Sequence, residues 1–217
     1  MTIPPEATPK RRPGRPRLEG PSPEFLRRRE EIMAAAAEVF HAKGYGAGTL
    51  EDVATSLDLR RASLYHYFGS KALLLSALCE RTIGMVLRIT EDIERIDDPA
   101  ERLAAMLRLH TGMVAREQGL FTVFFDERGS LADQERARDF ERRYLRHLVG
   151  TVEAAIGAGL LPPTDAYLTA LALIGMMSWI YKWYEPGRHD AGAYARTCEA
   201  LLLGPRAGRG EAVSPEG

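Results

Sequence analysis

Between residues 23 and 204, apolar side chains recur three or four positions apart, as they do along one face of a helix. Phe25, Ile32 and Ala36 set this spacing in the first segment, and glycines such as Gly44 end the segments. No sustained alternation of apolar and polar residues marks a strand. The pattern therefore predicts an all-α fold.

The composition is that of an ordinary globular protein, because 45% of the 217 residues are hydrophobic and 27% are charged. The two cysteines, Cys79 and Cys198, lie far apart and outside any metal-ligand spacing, which indicates reduced thiols. The most apolar run, residues 167–183, is short for a bilayer span and ends among charges. We therefore expect a cytoplasmic protein with no membrane partner.

The two ends of the chain differ from the helical part. Residues 1–22 hold six prolines and two clusters of arginine, so we expect a disordered basic arm. Residues 206–217 are rich in glycine and charge, and we expect a disordered tail. The chain up to Lys71 carries 12 basic and 9 acidic residues, whereas the remainder carries 17 and 21. This asymmetry favours an anionic partner for the front of the chain.

Residues 49–71 have the order of a helix-turn-helix element. Thr49 begins a helix as its N-cap, a tight turn follows at Asp58, and a short helix runs to about Phe68. Ser70 then caps a long helix. Two short helices joined by a tight turn bury little surface, so their arrangement is typical of a helix that is presented to a partner.

The short helix carries side chains suited to DNA. Arg60 and Arg61 at its start suit guanine edges in the major groove, Ser63 suits bases or phosphates, and tyrosine hydroxyls suit phosphates. Lys71, at the start of the next helix, makes a phosphate seat with the free N–H groups there. The alternative is a solvated helical face, on which the arginines are surface charges and the tyrosines are half-buried packing residues.

The order of these residues resembles the DNA-binding domain of the TetR family of bacterial transcriptional regulators. The resemblance rests on the segments VA (53–54), LDL (57–59), ASLYHYF (62–68) and SKALL (70–74), and it covers about residues 26–86. It implies a homodimeric repressor that binds a palindromic operator in double-stranded DNA and is released by a small molecule. The candidate DNA-binding residues are Thr49, Arg60, Arg61, Ser63, Tyr65, Tyr67 and Lys71 within this domain, together with Arg15 of the basic arm.

The resemblance also divides the chain into parts. It implies a helix-turn-helix domain at residues 23–86 and a helical-bundle domain for ligand binding and dimerisation at residues 87–205. Two positions depart from the family pattern. Asp58 stands where the family usually has glycine, and Arg60 stands where it often has serine or threonine. Aspartate tolerates the left-handed turn, and the added arginine favours G·C-rich contacts.

The basic arm contains the sequence KRRPGRPR at residues 10–17, which resembles an AT-hook. Proline keeps such an arm extended, and Arg15 would enter the narrow minor groove. The alternative is a solvated tail without a fixed partner.

The second part of the chain is unusually rich in methionine and aromatic residues, which suit an adaptable apolar pocket. We expect a hydrophobic ligand to bind there, and a long one is plausible. The alternative is a dense core with a dimer interface. The candidate ligand-binding residues are Met106, His110, Met113, Phe121, Phe124, Phe125, Met177, Trp179 and Tyr181.

A narrower resemblance concerns this second part. The segments FFDER (124–128) and GMMSWIYKWYEPG (175–187) look like TetR-type regulators of fatty-acid and sterol degradation. This implies an acyl-coenzyme A effector, with Arg116, Arg128 and Lys182 as candidates for its phosphates or, alternatively, as members of surface ion pairs. Helices at about 164–184 and 190–204 are expected to form the dimer interface.

A different class of function fits some of the same features. A helical-bundle lipid carrier, or a lipid-modifying enzyme without specific DNA binding, would explain an apolar pocket but would leave residues 49–71 without a role. The five histidines are scattered, and none has a second histidine at metal-ligand spacing. We therefore expect no enzyme and no cofactor. Sequence-specific DNA binding separates the two classes.

Overall fold

The computed structural model describes residues 20–127 and 134–204, and within these ranges every regular element is a helix. The helices are α1 (Pro23–Ala47), α2 (Leu50–Ser56), α3 (Arg61–Tyr67), α4 (Lys71–Glu94), α5 (Pro99–Arg116), α6 (Gln118–Glu127), α7 (Gln134–Gly157), α8 (Ala166–Ser178), α9 (Ile180–Trp183) and α10 (Ala191–Leu203). The all-α prediction is confirmed. Most of the basic arm, with Arg15, and the expected tail at 206–217 lie outside the described residues.

The ends of the first helices follow the signals in the sequence. Ser22 caps α1, since its hydroxyl accepts a hydrogen bond from the backbone N–H of Phe25 at 3.2 Å. Gly44 breaks the helical path of α1 with φ 75°, a left-handed value that favours glycine. Ser70 caps α4 through a bond of 3.1 Å from the N–H of Leu73. The cap at Ser70 was predicted correctly from local chemistry, whereas Gly44 was expected to end α1 and instead interrupts it, because the helix resumes and reaches Ala47.

The turn between α2 and α3 is closed by two backbone hydrogen bonds. The N–H of Asp58 donates to Thr55 at 3.1 Å, and the N–H of Leu59 donates to Ala54 at 2.8 Å. Asp58 takes a φ of 52°, the only positive value of a non-glycine residue in the described chain. The aspartate therefore adopts the left-handed conformation that was expected of it.

Replacing Asp58 with alanine is expected to lower the free energy of unfolding by about 1 kcal/mol, because alanine resists the left-handed conformation. Asp58→Gly is the matched control and should leave stability within about 0.5 kcal/mol of the wild type, since glycine adopts this conformation freely. Urea unfolding followed by circular dichroism measures both values. Equal stability of the two variants would mean that the turn carries no strain.

One prediction about the helices was wrong. The chain at 164–184 is not one helix, because α8 ends at Ser178 and the short α9 begins at Ile180. The helix tightens at this point: the N–H of Lys182 donates to the carbonyl of Trp179, three residues back, at 3.1 Å. The N-cap of α8 is Asp165, whose carboxylate accepts from the N–H of Leu168 at 2.9 Å.

Two hydrophobic clusters organise the fold. The first joins α1–α4 to α5, α6, α7 and α9, and the second joins the end of α4 to α5, α7, α8 and α10. The expected domain boundary between residues 86 and 87 falls inside the continuous helix α4. The front and back of the described chain therefore share a helix and a core.

Helix α6 lies directly against α1. A Cβ added at Gly119 would stand 3.0 Å from the backbone oxygen of Ala37, so the two helices approach more closely here than most Cβ contacts permit. Near this crossing, Nδ1 of His41 and the hydroxyl of Thr122 lie 2.9 Å apart. A displacement of α6 would therefore be passed to α1.

Candidate functional site

Helix α2 is fixed in place by a capping box at its first residue. The hydroxyl of Thr49 accepts from the N–H of Asp52 at 3.1 Å, and the carboxylate of Asp52 accepts from the N–H of Thr49 at 2.9 Å. The ammonium of Lys43 donates to the same carboxylate at 2.8 Å. These bonds, led by that of Lys43, lower the pKa of Asp52 to about 2. Thr49 thus serves α2 itself, and its hydroxyl remains at the surface.

Helix α3 separates a buried side from an exposed one. Leu64 is fully buried and Phe68 nearly so, and together they hold α3 on the first hydrophobic cluster. Arg60, Arg61 and Ser63 are exposed at the beginning of the helix. The structure therefore brings together three of the predicted DNA-binding residues at the exposed N-terminus of α3. This is the part of a recognition helix that enters the major groove.

The two arginines of this face differ in their partners. A guanidinium nitrogen of Arg61 lies 3.4 Å from a carboxylate oxygen of Glu51, and another donates to the hydroxyl of Tyr65 at 3.1 Å. The bond to Tyr65 is the main reason why the pKa of Arg61 is raised. Arg60 makes no ion pair within the part of the chain that the structure describes. Arg60 is thus available without the loss of an internal contact.

Two predicted phosphate contacts have internal roles. The ring of Tyr67 is half-buried and stacks on Phe25 of α1, with centroids 4.8 Å apart. The ammonium of Lys71 donates to the backbone carbonyl of Tyr45 and lies 4.2 Å from the centroid of its ring. Tyr65, in contrast, is 40% exposed. Tyr67 therefore fits the alternative in which the tyrosines are half-buried packing residues. Lys71 connects the start of α4 to the end of α1.

A cavity of about 270 Å³ lies between α4, α5, α6, α7 and α8. Its wall is mostly aromatic and aliphatic, with a carboxylate, a hydroxyl, an imidazole and a phenol as its polar groups. The lining residues are Val86, His110, Phe121, Phe124, Phe125, Phe140, Glu141, Tyr144, Leu145, Leu171, Ile174 and Ser178. An apolar wall with few polar groups is typical of a small-molecule site.

The polar pair in this wall is formed by His110 and Tyr144. Nδ1 of His110 lies 2.9 Å from the hydroxyl of Tyr144, and the two rings are stacked. The other ring nitrogen of His110, Nε2, is buried and has no hydrogen-bond partner among the described residues. Burial lowers the pKa of His110 to about 4 and raises that of Tyr144. Both groups are therefore neutral near pH 7.

Stability is expected to fall as the pH falls from about 6.5 to about 4. His110 is neutral in the folded protein down to a pKa of about 4, whereas the unfolded chain binds a proton near 6.5. The unfolded state therefore holds the extra proton in this window, and the loss amounts to about 3 kcal/mol. Urea unfolding at successive pH values measures it. The double variant His110→Phe/Tyr144→Phe should lack this share of the loss, and an unchanged pH profile would contradict the assignment.

Four of the nine predicted ligand-binding residues line this cavity: His110, Phe121, Phe124 and Phe125. The three methionines, Met106, Met113 and Met177, are at most 1% exposed and belong to the two core clusters. Trp179 does not line the cavity. It lies at the C-cap of α8, and 60% of its surface is exposed. Tyr181 packs behind Phe125, with ring centroids 4.9 Å apart.

Sequence reasoning missed the contribution of α7. Phe140, Tyr144 and Leu148 recur every four residues along this helix, and the first two line the cavity. This spacing was a visible signal of an inward face.

Of the basic residues that were candidates for binding the phosphates of coenzyme A, the two described ones do not line the cavity. Lys182 forms an ion pair with Asp126 at 3.0 Å, which was the alternative to phosphate binding. Arg116 borders a separate hollow between α5 and α10. Arg128 lies outside the described residues.

The outer surface of α8 carries three exposed large apolar side chains, and that of α10 carries one. Tyr167, Leu168 and Leu171 on α8 are 52%, 61% and 41% exposed, and Leu201 on α10 is 74% exposed. Exposed apolar side chains gathered on neighbouring helices are typical of a protein interface. Across the described ranges, no helix combines the length and hydropathy that a membrane crossing requires.

Comparison with known families identifies both parts of the chain. A family described as "Tetracyclin repressor-like, C-terminal domain" matches residues 96–204, which is half of the sequence. A second, described as "Bacterial regulatory proteins, tetR family", matches residues 32–78. The second match contains α2, α3 and the exposed arginines.

Individual relatives agree with these matches. The HTH-type transcriptional repressor KstR2 of Mycobacterium tuberculosis (strain ATCC 25618 / H37Rv) is 25% identical over 74% of this chain and 82% of KstR2. The HTH-type transcriptional regulator HbdR of Aromatoleum sp. (strain CIB) is 24% identical over 82% of this chain and 80% of HbdR. The crystal structure of AibR in complex with isovaleryl coenzyme A and operator DNA has a TM-score of 0.72 and 26% identity, covering 81% of this chain and 98% of AibR.

Proposed function

The chain belongs to the TetR family of bacterial transcriptional regulators, and we propose that it is a repressor that a short acyl-coenzyme A thioester releases from its operator. It is a DNA-binding, ligand-responsive regulator of the TetR type that works as a dimer on operator DNA. The proposal adds the chemical class of the effector, the residues that bind it and DNA, and a cytoplasmic site of action without catalysis.

The exposed beginning of α3 supports the assignment of the DNA-reading surface. Arg60, Arg61 and Ser63 are presented by a helix whose opposite side is anchored by the buried Leu64. Arginine pairs in a bidentate way with O6 and N7 of guanine, so each half-site should contain guanine where α3 begins. Arg61 must leave Glu51 to reach a base, and this exposed ion pair is weak.

The observation that carries the effector class is the cavity beside His110. An engineered cavity of about 150 Å³ accepts benzene, so a volume of about 270 Å³ holds on the order of ten heavy atoms. A short or branched acyl group fits this space, whereas the long chain considered from the sequence exceeds it. Among the relatives, AibR is described with isovaleryl coenzyme A, a branched short-chain thioester.

The route from the cavity to DNA runs through α4 and α6. Val86 of α4 and three phenylalanines of α6 line the cavity. Helix α4 begins beside α3, and α6 lies against α1 at Gly119. A ligand that separates α6 from α7 would thus shift α1 and α4, and with them the distance between the two copies of α3 in a dimer. A coupling of about 1–3 kcal/mol is typical of such switches.

The surface of α8 and α10 that carries the exposed apolar side chains is proposed as the dimer interface. It provides the self-complementary helices of a four-helix bundle, and a twofold dimer matches a palindromic operator. The two copies of α3 would then lie about 34–36 Å apart, one turn of DNA, or farther when the half-sites are spaced more widely.

The proposed function is tested first by selecting bound duplexes from a random DNA library with the purified protein. We expect a palindromic consensus with guanine-containing half-sites, and binding that is lost on a scrambled duplex at the same salt concentration. Selection of no consensus across a salt series, together with binding of acyl-coenzyme A, would instead favour the lipid-carrier alternative.

A further inference from the structure

His110, which lines the cavity, has a polar atom for which the described residues provide no partner. Nε2 of His110 is buried, the residue is 4% exposed, and no described group bonds to this nitrogen. A buried polar atom without a hydrogen bond destabilises a protein, so its retention beside a cavity indicates a ligand that supplies the partner. Its chemical character depends on where the protons of the pair reside.

The pair of His110 and Tyr144 allows two proton arrangements. In the first, the hydroxyl of Tyr144 donates to Nδ1, and the imidazole carries its own proton on Nε2. In the second, Nδ1–H donates to the phenol oxygen, which leaves the phenol hydrogen and the lone pair of Nε2 both unpaired. The contact of 2.9 Å fits either arrangement. The first leaves one buried group unsatisfied and the second leaves two, so the first is more stable.

The first arrangement leaves a single buried N–H donor on a residue that lines the cavity. Such a donor binds an oxygen acceptor that can enter an apolar space without charge, which describes a carbonyl oxygen. A carboxylate is a poorer occupant, because the imidazole is neutral and the acidic Glu141 also lines the cavity. The surroundings are otherwise apolar, with Phe121 and Phe140 on neighbouring helices.

We propose that Nε2–H of His110, held in its tautomer by the hydroxyl of Tyr144, donates a hydrogen bond to the carbonyl oxygen of the effector's acyl group. This inference rests on the proposed function, and it deepens that function by naming the atom that recognises the thioester. Tyr144 acts as a positioning residue, and the cavity selects a carbonyl compound over a hydrocarbon of the same shape.

The test compares two ligands that differ only at the carbonyl. Isovaleryl-coenzyme A is a thioester, and in its thioether analogue a methylene group replaces the carbonyl group. Calorimetry with the full-length protein should give at least a 10-fold tighter dissociation constant for the thioester, because the thioether leaves the donor unpaired. The discrimination requires no variant, so it is independent of any effect on folding.

The double variant His110→Phe/Tyr144→Phe supplies the second arm. It removes both polar groups and retains both aromatic rings, so its melting temperature should equal or exceed that of the wild type. Its two dissociation constants should agree within about 2-fold, because no donor remains to distinguish them. Arg95→Ala is the control, because Arg95 lies exposed after the last residue of α4 and does not line the cavity, and it should keep the discrimination.

The outcomes separate the two levels of the proposal. If both ligands bind the wild type equally, the proposed function stands and the role of His110 is rejected. Persistence of the discrimination in the double variant also rejects that role. If neither ligand binds, the acyl-coenzyme A effector is rejected, and this inference is rejected with it.

Discussion

Replacing Arg60 with alanine should weaken operator binding by between about 30-fold and about 20,000-fold. A bidentate contact between arginine and guanine contributes about 1–3 kcal/mol, and a dimer loses two of them, or about 2–6 kcal/mol. Arg60 is exposed at the N-cap of α3 and has no internal ion pair among the described residues, so its loss leaves the fold intact. Fluorescence anisotropy on the selected operator measures the change.

The matched control for Arg60 is Arg95, which is exposed at the end of α4 and, among the described residues, forms an ion pair only with Asp92, three positions earlier. Arg95→Ala removes the same charge far from α3, so its effect on operator affinity should be below about 3-fold. A base contact at Arg60 also predicts relaxed preference at one position of each half-site. Equal weakening on operator and scrambled duplexes would assign Arg60 to phosphate instead.

Replacing Ser178 with tryptophan should abolish release by the effector. Ser178 ends α8 and lines the cavity, so an indole at this position occupies the space proposed for the acyl group. Effector affinity should fall by about 100-fold or more, whereas operator affinity should stay within about 3-fold of the wild type. The result would be a repressor that stays on DNA in the presence of acyl-coenzyme A.

Leu109→Trp is the control for this substitution. Leu109 is 42% exposed on α5 and does not line the cavity, so an indole there should leave both affinities unchanged. Calorimetry with isovaleryl-coenzyme A and anisotropy on the operator give the two values. Normal release of the Ser178→Trp variant would place the effector outside this cavity.

Local chemistry made the front of the chain predictable. Interactions within a few positions of the chain decide how its first helices begin and end. Examples are the caps at Thr49 and Ser70, the break at Gly44 and the left-handed turn at Asp58. Such signals act within one turn of the chain, so they can be recognised in the sequence alone. Their order along the chain is the order that the family resemblance implies. The roles of single exposed residues were harder to predict, because Lys71 meets a carbonyl 26 positions earlier in the chain.

The cavity was predictable only in part, because tertiary packing decides which apolar residues face a void. The methionines that suggested an adaptable pocket fill the core instead, and Trp179 points away because the helix tightens after Ser178. The pairing of His110 with Tyr144 joins residues 34 positions apart on two helices, and no local pattern predicts that contact. The periodic aromatic residues of α7 were the one signal that was overlooked.

The most direct test of the central claim is the anisotropy of the wild-type protein bound to its selected operator, titrated with isovaleryl-coenzyme A. We predict a concentration-dependent loss of the complex, with coenzyme A alone and palmitoyl-coenzyme A much less effective, since the cavity of about 270 Å³ admits only a short acyl group. An operator complex that is unaffected by isovaleryl-coenzyme A, or that is released equally by coenzyme A alone, would contradict the account.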